Sequence, residues 1–346
     1  MRPLPGPAAG RGFSRDSCPQ SRIAAARQQE SGKGALSAKS SCGECRARTR
    51  SSRVSDDKPR RALVLSGGGS KGAFEVGVLQ RLMGDERTDY DLLCGTSVGA
   101  INAAYIAQTP LGQPREAAAK LRALWDTVTT EKVHRGWFPF GKIAAFFKTS
   151  VYDSRPLHQW IRSGLDAAAV RASGRRLRVV SVSFGTGETF VANEQTPDLA
   201  QWIIASSAFP VLLTPASIGG DLWTDGGLRT VTPLGEAIRA GADDIDVILS
   251  SDPFAKSPFE VKDAHAIPQL LLRAIDIMNG EVSRADLRIA GLKNDLSQLR
   301  SEYRKVRIRL FQPREPLPFD SLDFDPGNLR KMIDAGYEHS AISAAV

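Results

Sequence analysis

The chain has 346 residues, enough for one α/β domain with a tail or for two to three average domains. Its net charge of +8 is unevenly spread: residues 1–61 hold 14 Lys+Arg against 5 Asp+Glu, and the remainder holds 32 against 33, so a basic character of the body is excluded. Four cysteines in this length exclude a disulfide scaffold and favour a reducing compartment, and the lack of any run of about 20 apolar residues excludes a helical membrane span.

Residues 1–60, with Pro3, Pro5, Pro7 and the Arg46, Arg48, Arg50, Arg53 run, have too few large apolar side chains to offset ordering entropy, and they read as a disordered basic tail. No apolar leader follows the N-terminus, so a secretory signal is not expected, and a cytoplasmic protein with at most peripheral membrane contact is. Cys42 and Cys45 form a lone C-x-x-C without the further ligands a structural zinc needs. Cys94, in an apolar run, reads as a small core residue.

From Arg61 the text alternates in the βαβ manner. Ala62 to Leu65 predicts a buried strand and Gly72 to Leu82 a helix; Leu92 to Cys94 predicts a second strand, followed by Ala-rich helices over Val98 to Ala107 and Arg115 to Trp125. Leu177 to Phe184 and Thr189 to Ala192 flank a Gly-rich turn and predict a hairpin. Helices are expected at Asp198 to Ala205 and Pro233 to Ala240, strands at Leu222 to Thr224, Ile245 to Leu249 and Val306 to Phe311, and one or two long helices over residues 263–303. Asp325-Pro326 opens a last helix expected to run through Ala345. This pattern predicts an α/β fold of three layers, α/β/α, around a mostly parallel sheet. The expected organisation is a tail (1–60), a catalytic domain (61–250) and a mainly helical C-terminal region packed on it (251–346).

Two glycine turns carry the chemistry. Gly95-Thr96-Ser97-Val98-Gly99 follows a short strand and precedes a helix of small residues, the setting in which a G-x-S-x-G turn lifts a serine hydroxyl onto an exposed elbow. Gly67-Gly68-Gly69-Ser70-Lys71-Gly72 precedes the other helix, whose amides and dipole favour an oxyanion. The same glycines satisfy G-x-G-x-x-G, with Asp89 and Asp91 near the distance of a ribose acid, so a nucleotide-binding alternative exists. Against it, both acids precede the second strand instead of ending it.

A serine nucleophile needs a base. Ser97, Asp225 and His265 follow the chain order of α/β-hydrolase triads, but His265 lacks strand or glycine context. Asp225, at the end of an extended stretch and before Gly226-Gly227, is better placed to approach another backbone. Trp137, Phe138, Phe140, Ile143, Phe146 and Phe147, interleaved with Arg135, Lys142 and Lys148, suit either a lipid-facing lid or the cap of a helical insertion.

Together the G-G-G-x-K-G loop, the G-x-S-x-G elbow, Ala205-Ser206-Ser207-Ala208-Phe209-Pro210 and Asp225-Gly226-Gly227 resemble the patatin-like phospholipases, over about Arg61 to Leu249. The resemblance implies a Ser97–Asp225 dyad without histidine and an oxyanion hole at Gly67, Gly68 and Gly69, with Gly72, Gly95, Gly99, Gly226 and Gly227 as motif glycines. It implies hydrolysis of lipid esters, met at a membrane or micelle surface, without metal or other cofactor and without nucleic acid. The alternative of another class is a non-catalytic lipid-binding scaffold of the same fold.

Overall fold

The computed structural model describes residues 61–137, 148–252, 267–297, 299, 305–317, 320–339 and 341–343. The expected basic tail, His265 and the aromatic segment from Phe138 to Phe147 lie outside them.

Nine strands among the described residues form one sheet: β1 (Arg61–Leu65), β2 (Leu92–Thr96), β3 (Arg176–Ser183), β4 (Thr189–Ala192), β5 (Ala216–Ile218), β6 (Asp221–Asp225), β7 (Asp244–Ile248), β8 (Arg307–Gln312) and β9 (Ala341–Ser343). The centre runs β3-β2-β1-β7-β8, all parallel. Its margins are antiparallel: β4 and β6 pair with β3, β5 with β6, and β9 with β8. The helices are α1 (Gly72–Leu79, prolonged by a π-helical turn over Gln80–Asp85), α2 (Val98–Ile106), α3 (Pro114–Trp125), α4 (Thr130–Val133), α5 (Arg155–Gly164), α6 (Ala167–Ala172), α7 (Leu199–Ser206), α8 (Leu234–Arg239), α9 (Ile267–Ser297) and α10 (Pro326–His339).

Alternation along the strands makes the three layers. Leu63, Leu65, Leu93 and Ile248 face one core with α1, α2, α3 and α7, while Ala62, Val64, Leu92, Cys94, Ile245 and Val247 face a second core with Leu234 of α8 and Leu287 of α9. Cys94 is fully buried, and burial pushes its thiol up to about 12, in keeping with a packing role.

The last helix is shorter than expected. It starts as predicted, with Asp325 Oδ1 accepting the Asn328 amide at 3.0 Å, but ends at His339 and gives way to β9 where the sequence predicts helix. The exposed edge of β8 supplies the reason, since unpaired strand groups at Leu310 to Gln312 are satisfied by Ser343 to Ala341. Four elements escape sequence reading altogether: α4, α5, α6 and β5.

One charge is fixed inside the sheet. Asp246 is fully buried, and both its oxygens accept from Arg309, Nε and Nη2 each at 2.6 Å, while the Tyr90 hydroxyl donates to Oδ2 at 2.6 Å. Asp246→Ala strands the guanidinium and the phenol; a loss of about 2–4 kcal/mol is expected, read from a lower urea midpoint at unchanged slope.

Candidate active site

Ser97 follows β2 directly and sits at φ +57°, ψ −127°, a conformation that a non-glycine residue adopts only where its surroundings enforce it. The enforcement is visible. A Cβ on Gly95 would lie 2.2 Å from the Gly99 carbonyl oxygen, and one on Gly99 would lie 2.4 Å from that of Leu65, so α2 can leave the strand this sharply only with glycine at both places. The Ser97 amide donates to Ser206 Oγ at 3.0 Å, and the Ser97 carbonyl accepts from Ala100 and Ile101 as α2 begins.

Asp225 reaches the same point by topology. The hairpin partner β4 covers one edge of β3 over Val179 to Val182. On the opposite edge β2 pairs through Thr96 with Val180, and β6 takes over through Asp225 with Ser181. The two strands therefore meet end to end against successive residues of β3, which brings Asp225 beside the serine turn. Gly226 makes this junction possible: a Cβ there would lie 2.4 Å from the Val180 carbonyl oxygen and 3.1 Å from Thr96 Cγ2.

The Asp225 carboxyl is 2% exposed. Its Oδ1 accepts the Gly227 amide at 2.7 Å, while Oδ2 is buried without a hydrogen-bond partner. Burial pushes the group up to about 7, only partly opposed by the Ser97 hydroxyl and the Gly227 amide. The hydroxyl thus acts on the carboxyl as a close polar neighbour, while a settled hydrogen bond to Oδ2 is not formed. The result is a carboxylate poised near neutrality with one open lone-pair site.

Residues 205–210, to which sequence reading assigned no role, tie these parts together. Ser206 holds the Ser97 amide, and the Ala208 carbonyl accepts both the Asp225 amide (3.1 Å) and the Thr224 hydroxyl (2.6 Å). One turn at the end of α7 thereby anchors the ends of β2 and β6 together. The signal was the block itself, small hydroxyl residues between a helix and a proline.

The first glycine turn narrows the expected oxyanion site. The Gly67 amide donates to the Val231 carbonyl at 3.0 Å and is engaged, which removes it from the three expected donors. Gly68 and Gly69 line the cavity, and their amides make no hydrogen bond among the described residues. The back of the loop is packed tightly: a Cβ on Gly68 would meet Ser250 Oγ at 2.0 Å and one on Gly69 the Ser321 carbonyl oxygen at 2.1 Å. Ser250 also donates to the Gly67 carbonyl at 2.6 Å, and Ser70 binds residues 320 and 321, so segments distant in sequence hold the turn.

Ser97, Asp225, Gly67, Gly68 and Gly69 line one cavity of about 1290 Å³. Its lining includes apolar side chains, Ile101, Trp125, Leu157, Trp160 and Leu213 among them, and the polar side chains of Lys71, Arg273, Asp276 and Arg284. Among the described residues no histidine lines it. His134 is buried with Nε2 3.2 Å from the Leu322 carbonyl, and His158 lies beside Ser154. Asp89 and Asp91 pair with Arg175 and Arg176 at the opposite ends of the parallel strands from Gly67, about 16 Å away at strand rise, where no ribose held by the glycine turn could reach.

The fold and site define an α/β protein with a strained serine elbow facing a buried carboxylate. Residues 63–238, half of the chain, match the family model described as Patatin-like phospholipase, and the chain belongs to that family. A protein of Escherichia coli K12, YjjU, itself uncharacterised, is 29% identical over 197 residues, 55% of this chain and 51% of its own length. A patatin-like phospholipase domain-containing protein of Pyricularia oryzae strain 70-15 is 29% identical over 205 residues, 53% of this chain and 25% of its own length. The chain thus spans about half of the first and a quarter of the second. The crystal structure of VipD from Legionella pneumophila aligns with a TM-score of 0.40 at 16% identity, over 82% of this chain and 66% of that one, a likeness too slight to carry an inference.

Proposed function

We propose that this protein is a serine lipid acyl hydrolase of phospholipase A or lysophospholipase type, with Ser97 as nucleophile and Asp225 as its base. The observation that carries the reading is the buried Asp225, raised to about 7 with Oδ2 open, lining the same cavity as the strained Ser97. Family membership supports lipid hydrolysis in general, and the apolar side chains that line the cavity together with the serine suit an acyl chain. Ile277 and Leu228 line the cavity while remaining 58% and 40% exposed, which suits entry of a substrate from a membrane or micelle surface.

In this mechanism Asp225 takes the Ser97 proton as Oγ attacks the ester carbonyl, and the oxyanion is held by the Gly68 and Gly69 amides. Collapse expels the alcohol, which takes the proton from Asp225, and leaves an acyl-Ser97 ester. Water, deprotonated by Asp225, attacks that ester; the fatty acid leaves and the proton returns to Ser97. No metal or histidine is used.

A fluorophosphonate probe is expected to label the wild-type protein at Ser97 and to leave Ser97→Ala unlabelled, as read by intact-protein mass. Absence of labelling in folded wild-type protein would point instead to a non-catalytic scaffold. His265→Ala separates dyad from triad: activity within about twofold of wild type is expected, and an inactive, folded variant would remove Asp225 as sole base.

A further inference from the structure

Ile101 stands one turn after the nucleophile on α2, its amide donating to the Ser97 carbonyl at 3.3 Å. It lines the main cavity and also a second, satellite cavity of about 20 Å³. The satellite continues along the later part of α2, between Ala104, Tyr105, Leu124, Ile161 and Ile203, and apart from Gly164 its lining is side-chain hydrocarbon and aromatic ring. Among the described residues Ile101 and Trp160 alone line both cavities. The two cavities therefore lie along one helix, and the wall between them begins a single turn from the serine.

We infer that Ile101 and Trp160 are the acyl-chain stop of this enzyme, setting the length of chain that the cavity accepts. The inference rests on the proposed Ser97 hydrolase. An acyl chain bonded to Ser97 and laid along Val98 and Ile101 runs towards Trp160. Beyond it the satellite is shallow and partly open to solvent, with room for little more than one water-sized body, so a longer chain finds no further enclosed space. Removal of the Trp160 indole joins the two spaces and opens about one more helical turn, 5.4 Å, the reach of roughly four methylenes. Gly164, whose Cβ would sit 3.8 Å from the Tyr105 ring, leaves the satellite uncrowded at that end.

The test is the chain-length profile of kcat/KM on p-nitrophenyl esters from C4 to C18, presented in mixed micelles. Wild type is expected to gain roughly fourfold per added methylene up to an optimum and to fall beyond it. Trp160→Ala and, independently, Ile101→Ala are expected to move the optimum two to four carbons longer, read from kcat/KM at each length relative to that of the same variant on C4. Ile101→Phe, which adds bulk at the boundary, is expected to move it shorter. The Ile101 pair carries the test if the tryptophan variant fails to fold. Intact hydrolysis with the same optimum in wild type and the variants overturns the stop alone. Wild-type protein that hydrolyses no ester of any length overturns the hydrolase reading, and the stop falls with it.

Discussion

Asp225→Asn is expected to lower kcat/KM by roughly 10³–10⁵ while raising the stability of the fold above neutral pH. Both effects come from the same burial. The native group titrates near 7 instead of at its ordinary 3.8, so between about pH 4 and 7 the native state holds a proton that the unfolded chain has released. Stability contributed by this group is accordingly full below pH 4 and is lost as pH rises through that window, a cost of about 4 kcal/mol at 1.36 kcal/mol per unit once pH exceeds 7. Asparagine keeps an acceptor for the Gly227 amide and removes the charge, but it leaves an amide N–H₂ where Oδ2 has no partner. A net gain of about 1–3 kcal/mol at pH 8, reversing to a net loss of about 1–3 kcal/mol at pH 4 where the charge penalty is gone and the unpartnered amide remains, is therefore expected from denaturation of the two proteins at both pH values. A gap that does not change with pH would show that the buried carboxyl is not the source. In the active enzyme the same titration sets the acid limb: the base works only when ionised, so kcat/KM should rise through a midpoint near 7.

Much of this site was legible because its signals are local. A glycine turn between an apolar run and a helix announces its own geometry, and β1, β2 and β7, buried on both faces, read as short apolar stretches. The proposed pairing of Ser97 with Asp225 was legible in part: strand and glycine context marked Asp225 as the better candidate and the resemblance implied the dyad, but their approach depends on β6 succeeding β2 along one edge of β3, a choice made by tertiary pairing over 128 residues of chain separation. The basicity of Asp225 is likewise a product of burial and has no counterpart in the text. Gly67 was misjudged as a donor because its acceptor, the Val231 carbonyl, comes from a distant loop. Between Thr130 and Ala172 the start signals are indirect: α4 is a single turn, and α5 begins at Arg155-Pro156, where the Ser154 side chain makes no capping hydrogen bond and Asp153 Oδ1, one position further back, accepts the Arg155 amide at 3.0 Å. The stop at Ile101 and Trp160 joins two helices that nothing in their sequence links.

Gly99→Ala is expected to cost about 3 kcal/mol or more and to abolish probe labelling of Ser97, although it adds one methyl group to a helix. Elsewhere that change helps: Gly84 has nothing within 4 Å of a built Cβ, and Gly84→Ala should be neutral or stabilising by about 0.5 kcal/mol through helix propensity. At Gly99 the methyl meets backbone. It would lie 2.4 Å from the Leu65 carbonyl oxygen and 2.6 Å from that of Ser66, atoms at the end of β1 that cannot rotate away as a side chain would. Relief requires α2 to lift from the sheet, and Ser97, which opens α2, must move with it. Leu65 and Ser66 also lead directly into the glycine loop, so the displacement separates the serine from the Gly68 and Gly69 amides from both sides at once. Loss of labelling should exceed what the fraction of unfolded protein explains, because a misplacement near 1 Å is enough to disarm the attack. Equal stability of the Gly99→Ala and Gly84→Ala proteins in denaturant, with labelling retained, would show that the elbow does not depend on this contact.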